Sequence, residues 1–67
     1  MQTTHDDYNK MQADYYIIKV ERFNQGLTQA DLAKKAKLSL SVIRKAEGGQ
    51  SISPKTNRAI RDALGLE

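Results

Sequence analysis

Two short helical patterns follow one another in TQADLAKKAKLSLSVIRKAE, residues 28–47, with only Lys37 and Leu38 between Ala36 and the next capping residue, Ser39. No other feature restricts the fold as much. Helices joined by so few residues cannot lie fully antiparallel over a shared core, so they cross steeply about a tight turn. A steep crossing brings two backbones close and selects small side chains at the contact. Ala33 and Ala36 stand where the first helix would meet the second, and Ala46 on the inner side of the second. Leu38 drops from the turn into the core. An ordinary alanine-rich helical hairpin carries the same periodicity, so spacing by itself leaves both arrangements open.

Local signals set the boundaries. Thr28 is an N-cap with an acidic residue, Asp31, three positions on, the form of a capping box with Asp in place of the usual Glu. Leu32, Ala33 and Ala36 form the apolar stripe of a helix over 29–36. Ser39 caps a helix over 40–47 whose inward side is Val42, Ile43 and Ala46, ended by Gly48 and Gly49. Ser53 followed by Pro54 opens a further helix over 54–64, burying Ile60 and Leu64 and stopping at Gly65. Ahead of these, YYIIKV has strand propensity, but the longer DYYIIKVERFNQ is helical: Tyr16, Val20 and Phe23 fall at i, i+4 and i+7 with Ile17 beside them. Asp14 is its expected N-cap and Gly26 its C′ residue. Residues 1–13 are polar and aperiodic and read as a flexible N-terminal tail; residues 14–67 read as one all-α domain of four short helices.

A chain of 67 residues makes one small domain that buries only about 60% of its unfolded surface. Without cysteine it has no disulfide, thiolate metal site or thiol nucleophile, which fits a reducing cytosol. No apolar run approaches the ~20 residues of a membrane span, and MQTTHDDYNK lacks the apolar stretch of a secretory signal, so a soluble, cytoplasmic protein is expected. Charge is unevenly placed. Residues 1–21 carry two basic against four acidic side chains, and residues 22–67 nine against four. The basic body suggests an anionic partner, although a merely soluble surface gives the same balance. His5, Asp6 and Asp7 are the nearest approach to a metal or acid–base cluster, but a tail cannot hold catalytic geometry. Gly48-Gly49 lacks the strand and lysine of a phosphate loop. No enzyme activity, metal, cofactor, small-molecule substrate or membrane contact is expected.

GLTQADLAKKAKLSLSVIRKAEGG resembles the Cro and phage-repressor (Xre) class of helix-turn-helix DNA-binding domains. The resemblance is carried by Gln29 opening the second helix, Ala33, Ile43, Glu47 before the glycine pair, and ALGL at 63–66, and it covers about residues 17–66. It implies a domain in which Arg22 meets Glu47 as a structural ion pair tying the first helix to the third. It also implies double-stranded DNA as the partner, with helix 40–47 in the major groove. The outward face of that helix is Leu40, Ser41, Arg44 and Lys45. Leu40, Ser41 and Lys45 fall where related repressors place base-reading side chains. By chemistry, Arg44 or Lys45 suits guanine O6 and N7, and Leu40 suits a thymine methyl or else a partly buried protein contact. Thr28, Gln29, Lys37, Lys55 and Arg58 are the expected phosphate contacts, while Lys34 and Lys35 read as a solvated face. The implied role is a sequence-specific, nucleoid-associated regulator, a repressor of phage, mobile-element or antitoxin type, acting as a homodimer or with a protein partner. The alternative is a protein-interaction module on the same fold.

Two departures stand out. Lys37 occupies a turn position where the class usually has Gly. The fifth helix usual after ALG-x is missing or truncated, and Thr56, Asn57 and Arg58 stand at positions of helix four that are often large and apolar. A looser core is expected.

Overall fold

The computed structural model describes residues 15–66, and the tail and the Asp14 cap lie outside that range. Four helices are present and no strand occurs among the described residues. They are α1 (residues 15–24), α2 (Gln29–Ala36), α3 (Leu40–Glu47) and α4 (Pro54–Leu64). Each of the last three starts as its cap dictates. The Thr28 hydroxyl accepts from the Asp31 N–H while the Asp31 carboxylate accepts from the Thr28 N–H, a complete capping box. Those bonds from Thr28 hold the Asp31 carboxyl below its ordinary pKa. Ser39 and Ser53 accept from the N–H groups of Val42 and Thr56, and Pro54 opens α4 where a missing N–H costs nothing.

The helices stop alike. In each, a residue with left-handed backbone follows the last turn, and the next N–H bonds back to a carbonyl five residues earlier: Leu27 to Arg22, Leu38 to Ala33, Gln50 to Lys45, Leu66 to Arg61. Glycine fills that left-handed position at 26, 49 and 65. At the α2–α3 turn it is Lys37, with φ 60° and ψ 43°, the only non-glycine residue with positive φ among those described. A side chain there costs roughly 1–2 kcal/mol. Part of this is offset because glycine has more freedom to lose on folding. Lys37→Gly is therefore expected to stabilise the domain by about 1 kcal/mol. Urea denaturation checks this: an unchanged or lower midpoint would mean that the lysine is not strained.

The tight turn sets α2 against both α3 and α4. Leu32, Ala33, Ile43, Ala46, Ile60 and Leu64 form the core with Ile18 of α1, and Leu27, Leu38, Ile52, Ala63 and Leu66 pack around it. Ala33 and Ala46 are buried at the close helix crossing. Thr56 and Asn57 are half-buried beside this core and Arg58 is exposed, so α4 contributes little beyond Ile60 and Leu64. Ile18, Leu32, Ile43 and Ile60, the fully buried large side chains, are each worth about 1.5–3 kcal/mol.

Helix α1 is turned the other way from its apolar pattern. The stripe of Tyr16, Ile17, Val20 and Phe23 faces outward, with exposures of 63%, 41%, 36% and 64%. Its buried face instead carries Ile18 and Arg22. Burial of Arg22 depends on a partner in α3, and Gln25 on the same side donates to the Leu64 carbonyl at the end of α4. Ile18 and these polar groups together hold α1 on the domain, where periodicity points to the apolar stripe.

Candidate nucleic-acid interface

The Arg22–Glu47 pair anchors the site. Arg22 Nε and Nη2 donate to Glu47 Oε2 and Oε1 at 2.6 and 3.0 Å, a two-pronged contact, and Nη1 donates to the Leu27 carbonyl at 2.8 Å. Gln29 Nε2 donates to Glu47 Oε1 at 3.1 Å. Both charged side chains are buried, and among the described residues no buried side-chain polar atom lacks a partner. The Phe23 ring lies over the guanidinium, 4.8 Å from its carbon, on the solvent side. This network fixes the C-terminal end of α3 against α1 and the start of α2, which sets the pose of α3 as a rigid body.

That pose creates a concave surface lined by residues 22–23 and 26–30 with Leu40 and Arg44. The N-terminus of α2 opens into it. The capping box uses the N–H groups of Thr28 and Asp31, leaving those of Gln29 and Ala30 as the free donors of the first turn. Two free N–H groups at the positive end of a helix dipole suit an anion, and Arg44 on the facing wall adds a full charge.

Of the sequence-derived candidates, Thr28, Gln29, Leu40 and Arg44 come together around this surface. Ser41 and Lys45 are exposed on α3 beside it, and Lys37, Lys55 and Arg58 are exposed outside it. Leu40 is half-buried rather than free. Gln29 spends one amide hydrogen on Glu47, so only the other and its backbone N–H remain for a phosphate. Sequence reasoning missed Phe23 and Leu27 as lining residues; the signal for Phe23 was its position next to Arg22. No group of side chains suited to a metal ion occurs among the described residues, and no helix there is long and apolar enough to cross a membrane.

A family model described as helix-turn-helix matches residues 18–67, from the start of α1's buried face through the end of α4. No curated protein and no solved structure matches.

Proposed function

The chain belongs to the Cro/C1-type, Xre-like helix-turn-helix family of DNA-binding regulators, and from that premise we propose that it reads a specific duplex sequence through the outward face of α3 and represses transcription from that site. The observation that carries this reading is the shared concavity: free N–H groups of α2, the Arg44 guanidinium and the partly exposed N-terminal turn of α3 converge on one side of the molecule. Eight residues make α3 about 12 Å long, matching the major groove. Arg44 or Lys45 donates to guanine O6 and N7. Ser41 reaches a neighbouring base edge without discriminating strongly, and Leu40 offers its exposed part to a thymine methyl. The backbone N–H groups of Gln29 and Ala30 hold one phosphate, and Thr28, Lys37, Lys55 and Arg58 add backbone contacts that set register without reading sequence.

Selection of bound duplexes from a random pool is the direct test. Recovery of one recurring half-site supports the reading, and recovery of sequence-neutral DNA ends it. With about four phosphates neutralised, log K against log salt should fall with a slope near −3.6. A flat salt dependence would remove the phosphate contacts from the account.

A further inference from the structure

The concavity beside α2 mixes two chemistries, and a phosphate satisfies only one of them. The N–H groups of Gln29 and Ala30 and the Arg44 guanidinium suit an anion. The same surface is also lined by the Phe23 ring and by the half-buried Leu27 and Leu40. Phe23 leaves 64% of its surface exposed. Of the exposed large apolar side chains of α1 it is the one that lines this concavity; Tyr16, Ile17 and Val20 do not. On the DNA reading above, we propose that Phe23 packs on the deoxyribose next to the phosphate held at the start of α2. The contact adds affinity without adding charge and without reading a base.

A nucleic-acid strand presents both chemistries side by side. Each phosphate is esterified to sugars whose ring carbons offer C–H surface, so a phosphate seated on the N–H donors of α2 brings a deoxyribose with it. Position favours sugar over base. Phe23 stands near the end of α1, one short loop ahead of those donors, whereas base edges are approached by α3, which contributes Leu40 and Arg44 to the lining. The ring is also held in place. The Arg22 guanidinium lies over it at 4.8 Å, and that guanidinium is fixed by its bonds to Glu47 and to the Leu27 carbonyl. A side chain ordered in advance loses little freedom when a partner arrives. Salt screens an exposed ion pair but leaves the burial of apolar surface largely untouched, so this contact has its own signature.

Covering about half of the exposed ring, roughly 50 Å², is worth about tenfold in affinity. In duplex titrations with the full chain, Phe23→Ala should therefore bind about tenfold more weakly than the parent. The loss should be equal for selected and unrelated duplexes, and log K against log salt should run parallel to the parent's. Loss of a phosphate contact behaves otherwise, flattening that line by about one unit of slope. Phe23→Leu keeps apolar surface but has no ring for Arg22, and it should recover most of the binding. The chain has no tryptophan, so Phe23→Trp supplies a lone indole whose emission should move to shorter wavelength when duplex is added.

Unchanged affinity in Phe23→Ala, or unmoved emission in Phe23→Trp, would overturn the proposal. A flattened salt line would assign the ring to support of the phosphate contacts, and a loss confined to particular sequences would assign it to a base; either overturns the sugar contact. Phe23→Leu as weak as Phe23→Ala would mean that the ring acts by holding Arg22, which overturns it too. A parent that binds no duplex would end the DNA reading and the sugar contact together. A parent that binds duplex as tightly as Phe23→Ala does would refute the sugar contact alone.

Discussion

Arg22→Met is expected to destabilise the domain by about 3–5 kcal/mol, enough to unfold much of it at room temperature. The substitution leaves the Glu47 carboxylate buried with only the Gln29 amide against it and removes the donor to the Leu27 carbonyl. A chain of this length has roughly 3–10 kcal/mol of stability in all. Its core has few large side chains to make up the loss. Urea denaturation followed by circular dichroism measures it, and a midpoint equal to the parent's would show that the buried pair does not hold α1. The double variant Arg22→Met with Glu47→Leu should recover most of the loss, since two apolar groups leave no stranded charge. If the double variant is no better than the single one, the guanidinium acts chiefly through Leu27 and packing.

Replacing both Arg44 and Lys45 by Ala should abolish sequence-specific binding while leaving the fold intact. Each side chain is exposed on α3 and takes no part in the core. A good two-pronged base contact is worth about 1–3 kcal/mol, and each basic group also neutralises phosphate charge. Together their loss should weaken binding to the selected site by about a hundredfold or more. Far-UV dichroism should not change. Binding as tight as the parent's would place the reading face elsewhere on the molecule.

Much of the architecture is legible because its signals are local. Thr28 with Asp31, Ser39, and Ser53 with Pro54 act on N–H groups three residues away, so the bounds of α2, α3 and α4 follow from neighbours in the chain. The same holds for the left-handed stops, including the one that Lys37 occupies. The orientation of α1 is not local. Arg22 reads as a surface charge until Glu47, twenty-five residues later, is folded against it, and Gln25 finds its acceptor thirty-nine residues away. A pattern of apolar side chains cannot reveal that a helix is held by its polar ones. The family resemblance supplied the Arg22–Glu47 pair, but the turning of Tyr16, Val20 and Phe23 toward solvent needed coordinates. The site was half legible for a related reason. Position at the start of α2 made Gln29 an expected phosphate contact and residue type made Arg44 an expected base reader, yet the sharing of Gln29 with Glu47 depends on three elements meeting.

The clamp on α3 grips Glu47, the last residue of that helix, while its opposite end carries Leu40 and Ser41. On the proposed reading, orientation and vocabulary are assigned to different residues. On that reading the exposed side chains at 41, 44 and 45 form a set that can be exchanged for another without disturbing the hinge pin, so a graft of three positions should retarget this scaffold while its melting behaviour stays that of the parent.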